Sequence, residues 1–281
     1  MNPEVVALLF SWNWEPPVVA GLILAVGSYT AGWWRLRQRP RGTAVAPLWR
    51  ACCYWSGLIL VGLSLLSPVA TFSRLLFFMH MTQHVLLLQA APLILLGRPM
   101  LPVLWSLPRA VRRELALLMV PSNPLHGPYH ALTHPAVGIS AYVITLAAWH
   151  APALYDSAQG ETLLHELEHT LFLGCSLLAW WTIVNPTGGP RRLSYGRAIF
   201  YLLPVMFEPH VLAMVLTFAN RPLYVTYQLV PRLWGLSVLV DQQIGGAIMW
   251  VAGGIPHLVA VLVLVVLVLR QEERQAQRLE G

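Results

Sequence analysis

Two pairs of histidines carry the chemistry of this chain: His80 and His84 in FFMHMTQHVLLLQ, and His165 and His169 in LLHELEHTLF. On an α-helix, residues four apart sit one turn apart on one face, about 40° from each other. Imidazoles so placed are good ligands for copper, zinc or haem iron. His150, in AAWHAP, is a fifth candidate. Met79 and Met81 flank His80, and thioether sulfur favours Cu(I). They lie about 200° apart on a helix, so at most one can join the His80 face; Met79 is kept as a supporting candidate. Asp156 and Asp241 are carboxylates suited to orient imidazole N–H groups, and Glu168 is a further supporting carboxylate.

The elements that must position these groups are membrane helices. The chain has 281 residues, 57% hydrophobic and 11% charged, with a mean hydropathy of +0.60. A soluble domain is nearer ~45–50% apolar and ~25% charged. These proportions exclude a nucleic-acid-binding module, in spite of a pI near 9.6, and also a soluble oxidoreductase or a disordered tail. A spanning helix needs ~20 mostly apolar residues. Seven stretches qualify, near 17–34, 49–67, 75–97, 135–150, 163–184, 197–219 and 238–269. The fourth is short. The seventh holds Gly245-Gly246, Gly253-Gly254 and Pro256, and is expected to tilt, break or project beyond the bilayer. The fold class is therefore all-α, a polytopic membrane bundle of about seven helices forming one transmembrane domain over 1–281.

All 18 basic residues are Arg. With the N-terminus outside, fifteen fall on the inner side, and only Arg74, Arg221 and Arg232 on the outer side. The positive-inside rule then sets the N-terminus outside and the C-terminus in the cytoplasm. That orientation, fixed without reference to histidine, brings His80, His84, His150, His165 and His169 to the outer leaflet with Asp156 and Asp241. One membrane histidine is adequately explained by a hydrogen bond between helices. Two i,i+4 pairs at one depth fit that explanation less well than ligation of a metal or haem.

Other features are weaker. His165-Glu166-Leu167-Glu168-His169 matches H-E-x-x-H, in which two His bind zinc and the Glu acts as general base. An intramembrane zinc metalloprotease is thus an alternative, but it leaves His80 and His84 without a role. A bis-His haem electron-transfer protein is a second alternative, disfavoured because the pairs share one depth. His126, His130 and His134 are spaced four apart, but Pro128 disrupts a helix there, so PSNPLHGPYHALTHP is expected as an inner loop after an amphipathic helix in PRAVRRELALLMV. Glu208-Pro209-His210 falls in mid-span, where a carboxyl is costly. His257 follows Pro256 at a depth left open. Trp33-Trp34 and Trp180-Trp181 suit an interfacial belt. Cys52, Cys53 and Cys175 have no disulfide or zinc spacing. The start MNPEVVALLF lacks a basic n-region and carries Glu4, so it does not read as a cleavable leader.

Four blocks in order, FFMHMTQHVLLLQAAPLILLGRP, AWHAPALYDSA, LLHELEHTLFLGCSLLAWW and PLYVTYQL with WGLSVLVDQQIGGAIMWVAGG, resemble the CtaG family of cytochrome c oxidase assembly proteins over about residues 20–270. These are seven-span bacterial membrane proteins associated with caa-type haem–copper oxidases, distinct from the single-span copper donor that shares the name. The resemblance implies a role in maturing the oxidase, with copper delivery to its catalytic subunit. It maps onto His80, His84, His150, Asp156, His165, His169 and Asp241. The expectation is a non-enzyme in the bacterial inner membrane. Its partners would be the oxidase's catalytic subunit, the lipid bilayer and an extracytoplasmic copper donor, with no nucleic acid. Its cargo would be copper, with zinc and haem as the alternatives.

Overall fold

The computed structural model describes residues 10–117, 123–124, 126–187 and 193–280. The leader expectation rests mainly on residues outside that set, as do Arg191 and Arg192 of the inner-side count. Among the described residues the regular structure is helical. Seven long helices run as α1 (Pro16–Arg37), α2 (Leu48–Leu66), α3 (Phe77–Leu96), α4 (Pro135–Trp149), α5 (Thr162–Val184), α6 (Tyr195–Thr217) and α7 (Val238–Glu280). Six are long and apolar enough to cross a membrane; α4 is a seventh span when joined to the short helix Pro152–Gly160, bent from it by 75°. The break follows from Pro152, whose ring cannot continue the preceding helix. This is a multi-pass membrane protein.

Helix α3 is the hub. It packs against α2, α5 and α7, while α6 packs on α7 and α4, and α4 on α5. In its most apolar stretch 56% of residues are buried, against 17% for α1 and α7, so α3 can carry polar groups away from lipid. Two of its contacts repair the damage prolines do to helices. Pro92 cannot donate to the Leu88 carbonyl four residues back, and Ser176 Oγ of α5 donates to that oxygen instead at 2.8 Å. Pro256 of α7 strands the Ala252 carbonyl in the same way, and Gln89 Nε2 of α3 donates to it at 2.6 Å.

Helix α7 is continuous through its glycines and Pro256, so it does not break. At 1.5 Å per residue its 43 residues extend about 64 Å, roughly twice the hydrocarbon core, and the surplus is the charged tail. The glycines serve close packing. A Cβ on Gly245 would stand 2.4 Å from the Phe77 ring, and one on Gly246 2.6 Å from Thr217 Oγ1. Both belong to the end of the bundle where α3 starts and α6 stops.

The opposite end is the arginine-rich one. Arg35 donates to the carbonyls of Trp105 and Ser106, and Arg39 and Arg112 both stack on the Trp105 ring at 4.1 Å. The amphipathic helix is present over Arg109–Leu117. The expected loop after it is in part a helix, His126–Leu132. Pro128 lies in its first turn, where the missing N–H is not needed. His134 Nδ1 accepts from Ala136 N and caps α4. The belt expectation also needs correction. Trp34 is exposed, but Trp33 and Trp180 are buried, packed on Trp55 and His257 respectively.

Candidate metal centre

The start of α5 projects His165, Glu168 and His169 from one face, because i, i+3 and i+4 align on a helix. The start of α3 projects His80 and His84. The two faces meet, with His80 and His165 ring centroids 5.2 Å apart and His84 and His169 5.7 Å apart. Ligand atoms of His80, His165, Glu168 and His169 all lie within 4.8 Å of one another. All four residues are buried, Glu168 and His80 completely.

Glu168 is the centre of the group rather than a support at its edge. Its Oε2 stands 3.6 Å from His80 Nε2 and 3.5 Å from His165 Nδ1. Its Oε1 stands 3.5 Å from His84 Nε2. These separations exceed a good hydrogen bond, and none of the five atoms, nor His169 Nε2, finds a hydrogen-bond partner. Leaving so many buried polar atoms unpaired costs several kcal/mol in sum. Ligands about 2.0–2.1 Å from one tetrahedral ion stand about 3.4 Å from each other, close to the distances seen. The donors present therefore fit a single ion bound by nitrogen and oxygen.

His80 is held so that Nε2 faces this centre. Its Nδ1 lies 2.8 Å from Tyr155 Oη, 3.2 Å from Tyr227 Oη and 2.6 Å from the Gln159 side-chain amide. Tyr227 Oη donates to the Ser73 carbonyl at 2.8 Å, so it accepts from Tyr155 Oη, 3.0 Å away. The Gln159 Nε2–H group donates to His80 Nδ1, and Tyr155 Oη lies against the same nitrogen. With Nδ1 engaged by this cluster, Nε2 is the ring nitrogen turned to the centre, 3.6 Å from Glu168 Oε2. Tyr155, Tyr227 and Gln159 did not emerge as site residues from the sequence. Burial raises the Tyr227 and Tyr224 hydroxyls well above the ordinary tyrosine range, so both stay protonated and able to donate.

Asp156 and Asp241 do not orient imidazoles as expected. Asp156 accepts from Val225 N, Thr226 N and Thr226 Oγ1, capping the short helix Thr226–Leu229 that carries Tyr227. Asp241 accepts from Phe77 N and Phe78 N at 3.0 Å, capping α3 three residues before His80, and pairs with Arg232 at 2.9 Å. Both act on the backbone that presents the site. The neighbouring Gln242 and Gln243 grip the α6–α7 connection through Leu223 N and the Ala219 carbonyl. Met79 is half-buried, about 100° round the helix from His80. Met81 is buried in an apolar cluster with Phe77, Tyr155 and Tyr224.

His150, at the end of α4, stands on the far side of His84, with centroids 5.8 Å apart. Glu166, the general base of the H-E-x-x-H pattern, is exposed on α5, whereas Glu168 is the glutamate that faces the histidines.

Residues 27–271 match the family described as cytochrome c oxidase caa3 assembly factor. Uncharacterized proteins of Mycobacterium bovis and Mycobacterium tuberculosis are each 28% identical to the chain over 287 residues, and one of Mycobacterium leprae is 28% identical over 286. Each of these matches takes in 98% of this chain but 42% of the relative, so the chain spans less than half the length of the curated relatives it matches. No solved structure matches the chain.

Proposed function

The chain belongs to the cytochrome c oxidase caa3 assembly factor family, and on that premise we propose that its role in assembly is to hold and deliver copper. The ion, as Cu(I), is taken up among His80, His165, Glu168 and His169 from an extracytoplasmic donor. It is passed to the oxidase's catalytic subunit by exchange of ligands. No electron moves and no covalent bond is made, so the protein acts as a carrier and not as an enzyme. The site faces outward from the bacterial inner membrane.

The observation that carries this reading is the convergence of unpartnered buried donors on Glu168. Their closeness favours one ion over haem, because axial ligands must lie on opposite faces of a wide macrocycle. Imidazole ligands alone would suit zinc equally; the family's copper oxidase favours copper. The test is metal analysis by mass spectrometry on detergent-purified protein, with an absorption spectrum of the same sample. Near-stoichiometric copper without a Soret band, lost in His80→Ala/His169→Ala, is the expected result. A metal-free protein that still matures the oxidase would overturn the reading.

A further inference from the structure

Below the centre lies a cavity of about 30 Å³ whose wall includes His84, three further imidazoles, His150, His210 and His257, and Met249. It is continuous with the site above through His84, whose Nε2 is also 3.5 Å from Glu168. Three of the four imidazoles are set in the same way. His150 Nδ1 donates to the Leu146 carbonyl at 2.8 Å, His210 Nδ1 to Met206 at 2.5 Å and His257 Nδ1 to Gly253 at 3.2 Å, each four residues back on its own helix. A proton committed to Nδ1 leaves Nε2 as a lone pair. The Nε2 atoms of His150 and His257 have no partner, and these residues are only 4% and 5% exposed. The His210 Nε2 lies against Gly254, where a Cβ would come within 2.8 Å; a glycine here lets the imidazole reach the interior.

The set descends into the membrane. His84 lies about 6 Å below His80 along α3. Gly245 packs on Phe77 at the head of α3, and His257 is twelve residues, about 18 Å, further along α7. Lone pairs need an acid partner, and a buried row of them, on four different helices, is costly without one.

We propose that this cavity is a second, deeper station for the same cargo, specific for monovalent copper. The proposal extends the copper-carrier reading of the upper site. Its selectivity rests on charge and softness. The upper centre has the Glu168 carboxylate, whereas the cavity wall has no carboxylate among its described residues. A divalent ion there would bring one more charge than a monovalent ion into a medium of low dielectric whose wall holds no carboxylate. Neutral imidazole with thioether is a donor set that suits Cu(I). Glu168, with one oxygen toward each side, stands between the two stations.

The full-length protein, purified in detergent, is titrated anaerobically with Cu(I) against a chromophoric chelator, and separately with Zn(II). Two Cu(I) but one Zn(II) per chain are expected. His257→Ala should reduce the copper to one, and His165→Ala/His169→Ala should also retain one. Met249→Leu, which nearly preserves volume, should weaken the second Cu(I) by about tenfold with unchanged circular dichroism. A native chain that takes one Cu(I), kept by His257→Ala and lost by His165→Ala/His169→Ala, would overturn the deeper station and leave the upper site standing. One Cu(I) with the reverse pattern would overturn the upper site and leave the deeper one. Two Zn(II) per chain would overturn the charge argument.

Discussion

Glu168 is the residue on which the centre turns, and its neighbour Glu166 is the natural control. Glu168→Gln keeps the shape and removes the charge, so affinity for the upper ion should fall by tenfold or more, measured by chelator competition. Glu166→Gln should change nothing; equal losses in both variants would contradict the geometry. Tyr155→Phe breaks the hydrogen-bond chain from His80 to the Ser73 carbonyl. Loss of an outer partner of a ligand histidine costs about 10–100-fold in metal affinity, and the same titration should show that loss while thermal stability stays near native. Helical spacing makes the alignment of His165, Glu168 and His169 legible in the sequence, and the same spacing turns Glu166 away. The H-E-x-x-H pattern drew attention to the wrong glutamate. Tyr227 could not be found this way. It is 147 residues from His80, and no periodicity relates a tyrosine on a one-turn helix to a helix so distant in sequence.

At the scale of elements, hydropathy sets the spans to within three residues of the helices observed, because a span must satisfy its own backbone and be apolar throughout its length; the exception is α7, whose charged tail continues to Glu280, past the expected end at 269. What the sequence does not show is how helices share their backbone groups. Asp241 reads as an acid near the histidine site, but the amides it caps belong to a helix more than 160 residues earlier. Removing one partner of a buried charge pair costs about 3–5 kcal/mol. Asp241→Ala should therefore destabilise the protein by that order and lower metal binding secondarily, read as a drop in detergent melting temperature before any metal is added. Ser176→Ala strands the Leu88 carbonyl opposite Pro92 and should cost about 1–3 kcal/mol by the same measurement. A melting temperature unchanged in both variants would show that water, not these side chains, satisfies the Phe77 and Phe78 amides and the Leu88 carbonyl. The continuity of α7 has the same origin. Glycine and proline signal a break locally, but here the glycines admit neighbouring helices and Gln89 restores the missing bond.

For the molecule as a whole, the two ends of the bundle differ in charge as well as in chemistry. Five histidines, His80, His84, His150, His165 and His169, gather near one end with Tyr155, Tyr224 and Tyr227, and most arginines lie at the other. Of the three arginines at the histidine end, Arg232 is paired with Asp241 and Arg74 donates to the Gln159 carbonyl, so two of the three exceptions are tied into structure. The positive-inside rule predicts the arginine-rich end in the cytoplasm, the orientation that the proposed uptake of copper from outside requires. Cysteine accessibility tests this directly. In a background with Cys52, Cys53 and Cys175 replaced, Ser157→Cys lies on the exposed face of the short helix beside the centre, and Gln271→Cys on the exposed tail of α7. A membrane-impermeant maleimide should label the first in intact cells and the second only after lysis. The opposite pattern would turn the molecule over: His80, Glu168 and His169 would face the cytosol, and the copper would have to come from the cytosolic pool.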